Sequence, residues 1–333
     1  MTQRINVADF DLAATLGCGQ AFRWTRQPDG WFVGVVGKEV WRVRQEGNVV
    51  VGNVGATFLS RPGPATRDRN VAPTTDLGRI RHYLALDVSL PAVVATFPDD
   101  PVLRDAVKQH WGLRVLRQEP WETLASFIAS STKQIVQIRQ IVAELARRFG
   151  EPIANGHYSF PSVDVVARAT HQQLWDCKLG FRAKYLLEAA RMIDGGKIDW
   201  GAITAGATVG AASPPRPAGE IAAGTPLPPA NVPPPRMDYD AALEELMKLP
   251  GVGEKIALCT LLFSCGFDQA FPIDVWVERS LRRLYFHNKK VTARELRAFT
   301  RTHFGPHAGW AQQYLFFSER SRGRQSLVDA SAK

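Results

Sequence analysis

The sequence predicts an α+β protein in which a small antiparallel β domain, residues 1–95, precedes an all-helical domain, residues 96–333. Three observations carry this reading. Residues 22–52, FRWTRQPDGWFVGVVGKEVWRVRQEGNVVVG, alternate short aromatic and β-branched runs with PDG, Gly37-Lys38 and EGN, which are turn signals at hairpin spacing. From about Asp100 the apolar residues recur three and four apart, as in PWETLASFIASSTKQIVQIRQIVAELARRFG, the period of a one-sided helix. Finally, 333 residues at 45% apolar composition can bury a sizeable core divided over two or three domains.

Taken in order, the β segment gives way to the helix just quoted, then to HQQLWDCKLGFRAKYLLEAARMI, DYDAALEELMKL and VTARELRAFTRTHFGPHAGWAQQYLFFSER, all of helical period. One stretch interrupts them. Residues 201–236 hold nine of the chain's 22 prolines and no aromatic residue, too little apolar area to offset the entropy of ordering, so they read as a mobile insertion between two helices.

A net charge of +9 and a pI near 9.6 suit a polyanionic partner, because neutralised phosphates release counterions. Cys18, Cys177, Cys259 and Cys265 are scattered without CxxC spacing, which argues against a disulfide framework or zinc finger and for a reducing compartment. With no apolar signal core near Met1 and no eighteen-residue apolar run, the expectation is an intracellular protein without a membrane anchor.

The chemistry-bearing segment runs from Asp240 to Asp274. Asp240–Lys248 is an amphipathic helix that Leu249-Pro250 ends, and Gly251 and Gly253 then turn the chain into a second, apolar helix. Without Cβ atoms the glycines permit close approach of another backbone, so Leu249, Gly251, Val252 and Gly253 can aim N–H groups at a phosphate. An ordinary αα turn uses glycine in the same way, so the hairpin points to DNA without naming a reaction. Lys255 opens the second helix, where the macrodipole works against an ammonium, and a neutral amine is a nucleophile. A snorkelling surface lysine is the plain alternative. Asp274, nineteen residues on, follows FPI and precedes VWVERSLRRL; it reads first as an N-cap, and a carboxylate fixed there can also stabilise a developing cation.

LPGVGEK followed by FPIDVW resembles the helix-hairpin-helix superfamily of base-excision DNA glycosylases. GCGQAFRW, YLALDVSL, LRQEPWETLASFIASS, LGFRAKYL and HAGWAQQYLFF stand in the order found in the 8-oxoguanine DNA glycosylases. The resemblance implies a TATA-binding-protein-like N-terminal domain, a helical catalytic domain, no metal or organic cofactor and no iron–sulfur cluster. It further implies a monomer acting on double-stranded DNA that contains oxidised guanine, in the nucleoid or the nucleus. By match, Lys255 is the Schiff-base nucleophile of a bifunctional glycosylase and AP lyase, and Asp274 is its electrostatic partner. Gly19 reads the lesion's N7 proton, Phe316 and Cys259 sandwich the flipped base, Gln312 reads its Watson–Crick edge, and Pro272 lies close by.

The sequence departs from the eukaryotic pattern at the opposite strand. Thr132 stands for the asparagine that fills the extruded base's space, Gln137 for an arginine that reads the orphan cytosine, and Phe181 for a tyrosine wedge, while Arg182 retains the second cytosine reader. Trp276 replaces a histidine. These changes predict weak opposite-base discrimination. Two rival readings are a superfamily glycosylase for another oxidised or alkylated base and a non-catalytic helix-hairpin-helix module. The absent four-cysteine loop speaks against an endonuclease III relative, and the retained Lys255 and Asp274 speak against a mere binding module.

Overall fold

In the computed structural model, which describes residues 3–57, 77–154, 156–207 and 235–331, the N-terminal segment folds as an antiparallel sheet. Its strands among the described residues are β1 (Gln3–Asn6), β2 (Trp24–Arg26), β3 (Phe32–Val36), β4 (Glu39–Glu46) and β5 (Val49–Thr57), in the order β1-β5-β4-β3-β2. Alternation decides the sheet's inner face: Trp41 and Val43 of β4 and Val50 of β5 are buried with Trp24 of β2. Helix Leu77–Tyr83 covers that face through Ile80 and Tyr83, and the Trp24 indole donates to the Tyr83 hydroxyl at 2.9 Å.

A second core belongs to the helices. Helix Pro120–Ser130 is buried along almost its whole length, as its apolar sequence requires, and packs against helix Glu254–Ser264. Thr260 and Ser264 bring hydroxyls inside the second helix, and each donates to a carbonyl one turn back. The segment 113–118 keys the two cores together. Arg117 N donates to Tyr83 O at 3.0 Å on the sheet side, and Gln118 N donates to Phe263 O at 2.7 Å on the helical side.

Two sequence expectations need correction. The run HQQLWDCKLGFRAKYLLEAARMI does not form one helix: it breaks between His171–Leu174 and Arg182–Asp194, where Lys178 (φ +66°) and Gly180 (φ +58°) enter left-handed conformations. The insertion expected at 201–236 begins inside an ordered helix, Trp200–Thr204, whose Ile203 is fully buried. Its ends are also tied: Met237 N donates to Ala202 O at 3.0 Å, and Arg236 donates to the Cys265 and Gly266 carbonyls. The mobility expected of residues 208–234 falls outside the described residues. Among the described residues no helix is long and apolar enough to cross a membrane.

Candidate active site

Helix Tyr239–Met247, capped by Asp238 accepting from Ala241 N, leads into the hairpin. Leu249 and Val252 are buried and anchor it, and, against the sequence expectation, their amides are taken up internally by Leu246 O and Leu249 O at 3.1 Å each, while Gly251 and Gly253 remain exposed. Gly251 sits at φ +75° with the Tyr185 ring beneath it; a β-carbon there would lie 2.6 Å from Tyr185 Cβ. Gly253 is the N-cap of helix Glu254–Ser264 and has no side chain to cap the first-turn amides, of which Ile256 N donates to Gly253 O at 3.0 Å. The hairpin is braced from outside by the Arg297–Glu254 and Arg301–Asp240 ion pairs.

Lys255 is half-buried at the first turn of this helix, with Nζ 4.7 Å from the centre of the Phe127 ring. One turn further in, Cys259 is buried, and burial pushes its thiol up to about 11. The Lys255 amine pulls that value down and the Asp274 carboxylate pushes it up, so amine, thiol and carboxylate share one electrostatic neighbourhood. Asp274 caps helix Val275–Leu284, its Oδ1 accepting from Val277 N at 2.8 Å. Pro272 is buried just before it. A cavity of about 180 Å³ opens beside Lys255, floored by Leu258, Ile273 and Leu296.

A second cluster gathers at the Gly19 turn. At φ +95° Gly19 occupies a conformation that side chains rarely adopt, and a β-carbon there would lie 2.9 Å from Ile135 Cδ1, 3.1 Å from Arg320 Nη1 and 3.8 Å from Phe316 Cε1. Gln20 pins this turn from within: its amide donates to Thr15 O and Arg114 O and accepts from Leu116 N. Gln312 is buried on the helix that carries Phe316, with its Oε1 accepting from Gln313 Nε2 at 2.7 Å. Phe127 joins the two clusters. One side of its environment is the Lys255 amine, and another is Phe22 on the Gly19 loop, edge-to-face at 5.5 Å. Phe127 thus lies between the Lys255 amine on one side and, through Phe22, the Gly19 turn on the other.

Comparison with known proteins decides the family. Residues 3–124 match the model of the 8-oxoguanine DNA glycosylase N-terminal domain, and residues 125–305 match that of the HhH-GPD superfamily base excision DNA repair proteins. This chain belongs to the HhH-GPD superfamily. The N-glycosylase/DNA lyase of Saccharomyces cerevisiae is 28% identical over 95% of this chain and 85% of its own. Among solved structures, MBOgg1 in complex with a low-affinity DNA ligand is 30% identical, with a TM-score of 0.78 over 97% of this chain and 96% of the other. The Clostridium acetobutylicum 8-oxoguanine glycosylase/lyase, in complex with double-stranded DNA containing cytosine opposite 8-oxoG, gives 28%, 0.76, 97% and 98%.

The remaining superfamily positions are less assembled. Thr132 is exposed at φ +59°, just past helix Pro120–Ser130, and a β-branched residue there is strained. Gln137 is exposed but folded back on its own helix, accepting from Gln134 N at 3.1 Å. Phe181 projects, 55% exposed, while Arg182 is buried with its guanidinium 4.6 Å from the Phe181 ring centre and its Nε without a protein partner. Burial lowers that guanidinium's proton affinity. Val136, Val275 and Trp276 are also exposed. Sequence reasoning missed Phe22, Phe127, Gln20, Ile135 and Arg320. Gln20 and Phe22 lie in GCGQAFRW and Phe127 in LRQEPWETLASFIASS, yet nothing in those runs marks them as meeting across the fold, whereas Arg320 lies four residues after Phe316, and that spacing puts both on one helix face.

Proposed function

We propose that this chain is a bifunctional DNA glycosylase and AP lyase that removes 8-oxoguanine from double-stranded DNA, with Lys255 as nucleophile and Asp274 as its electrostatic partner. The hairpin N–H groups hold a phosphate while the damaged nucleotide turns out of the duplex, at a cost of a few kcal/mol that the basic surface offsets. The Lys255 amine, as its free base, attacks C1′, the bond from C1′ to the base breaks with its electron pair leaving on the base, and Asp274 stabilises the positive charge that gathers on the sugar; the nitrogen then loses its proton, the C1′–O4′ bond opens with a proton going to O4′, and a Schiff base remains. Loss of a C2′ proton from the resulting Schiff base then expels the 3′ phosphate by β-elimination. Gly19, Gln312, Phe316 and Cys259 hold the base, and Pro272 borders them.

One observation carries the reading: Lys255 stands in the first turn of helix Glu254–Ser264 and Asp274, nineteen residues on, caps helix Val275–Leu284, both close enough to the buried Cys259 for their charges to act on it. Burial pushes that thiol up to about 11, which disfavours a thiolate there. The partner is double-stranded DNA carrying oxidised guanine, bound by a monomer inside the compartment that holds the genome. Thr132, Gln137, Phe181 and Arg182 meet the opposite strand, and the first two offer little that is selective for cytosine.

The test is borohydride trapping on an 8-oxoguanine duplex. A covalent adduct is expected with the natural chain and none with Lys255→Gln. An adduct that persists in that variant, or none with the natural chain, removes the assignment.

A further inference from the structure

We propose that Arg320 reads the C8 carbonyl oxygen of the lesion, donating a guanidinium hydrogen bond to O8 beside the Gly19 backbone. The inference rests on the assignment of 8-oxoguanine as substrate. That base differs from guanine at two adjacent atoms, a proton on N7 and an oxygen on C8, so a selective site gains from an acceptor and a donor set side by side. Arg320 Nη1 lies 3.1 Å and Phe316 Cε1 3.8 Å from the same point, the β-position of Gly19. The two side chains stand one turn apart on helix Ala308–Ser331, which places the cation next to the aromatic face on which the base would lie.

The guanidinium is already oriented toward this turn. Nη1 approaches Gly17 O at 3.4 Å, and its charge acts on the buried Cys18 thiol between Gly17 and Gly19. A guanidinium fork carries five donors and can hold more than one acceptor at once. The same bond serves the reaction. When the bond from C1′ to N9 breaks, the electron pair that leaves with the base spreads onto O8, and a cationic donor there stabilises the leaving group more than the bound base.

The experiment compares Arg320→Met and Arg320→Lys with the natural chain in single-turnover assays on two duplexes, one carrying 8-oxoguanine and one carrying an abasic site. Loss of a charge-assisted hydrogen bond predicts that Arg320→Met excises the base about 10- to 100-fold more slowly. Abasic-site nicking, which involves no base, should stay within about twofold, and Arg320→Lys should recover part of the excision. With 8-thioguanine, which keeps the N7 proton but replaces O8 by a poor acceptor, the Arg320→Met loss should shrink. Equal losses on both duplexes would assign Arg320 to the DNA backbone or to folding and overturn the proposal, as would no loss on 8-oxoguanine or an undiminished loss on 8-thioguanine. If the natural chain leaves 8-oxoguanine in place, the substrate assignment itself fails and takes this proposal with it.

Discussion

Gly19 and Phe316, from opposite ends of the chain, meet at one spot: a β-carbon on Gly19 would stand 3.8 Å from Phe316 Cε1, with Ile135 Cδ1 closer still at 2.9 Å. No side chain fits there, and the backbone at φ +95° disfavours one independently. Gly19→Ala should therefore cost about 1–2 kcal/mol of stability and displace the surface proposed above to meet the flipped base. Excision of 8-oxoguanine should fall by about tenfold or more, whereas nicking of a preformed abasic site, proposed above to be the work of Lys255, should persist. Parallel single-turnover measurements on the two substrates check this, and equal losses would refute it.

Gly251→Ala should show the opposite pattern. The new methyl would strike Tyr185 Cβ at 2.6 Å and strain a backbone at φ +75°, so the hairpin must shift and its outward amides with it. If those amides hold phosphates rather than a base, as proposed above, affinity should fall alike for damaged, abasic and undamaged duplex, by roughly tenfold. Titration by fluorescence anisotropy at fixed salt tests this; a loss confined to the damaged duplex would contradict it.

A pH dependence follows from Glu119, the N-cap of helix Pro120–Ser130, whose carboxylate accepts from Trp121 N and Glu122 N. Burial outweighs those donors and pushes the carboxyl up from 4.5 to about 7. Near pH 6 the folded protein holds this proton while the unfolded chain has released it, so unfolding liberates a proton and stability falls as pH rises from about 4.5 to 7. Burial raises Glu122 in the same sense despite Arg23. Glu119→Gln keeps one acceptor and loses the titration. Its melting temperature should gain on the natural chain between pH 5 and 7 and run parallel above that window. Parallel curves throughout would exclude Glu119 as the source.

What the sequence revealed and what it hid divide by range. Lys255, Asp274 and the hairpin glycines sit within one continuous segment, so their spacing alone brought them together. The meeting of Gly19 with Phe316, and of Phe127 with both Lys255 and Phe22, depends on how a sheet domain docks on helices, and no local period encodes that. Strand β1 was equally silent: only Ile5 of its four residues is buried, too little to show alternation, and it forms by pairing with β5. The break at Lys178 was masked by helix-forming neighbours. Its signal, Gly180 inside a helical run, is weak because single glycines are tolerated there.

Thr132 concentrates the question of the opposite strand. A β-branched residue at φ +59° is strained, and asparagine tolerates that conformation better because its short amide bonds locally. Thr132→Asn should thus raise stability by about 0.5–1 kcal/mol while supplying a longer polar arm for the space the base vacates. Gln137 is occupied as the N3 partner of its own helix cap, and Gln137→Arg would give up that bond to place a forked donor at the same exposed position. The natural chain should excise 8-oxoguanine at rates within about tenfold across the four opposite bases. The double variant Thr132→Asn/Gln137→Arg should favour cytosine over adenine by a further factor of about ten or more, since one bidentate pair discriminates by about 1–3 kcal/mol. Rates measured on the four duplexes decide it: strict cytosine preference in the natural chain, or an unchanged ratio in the double variant, would show that Phe181 and Arg182 set the opposite-base choice instead.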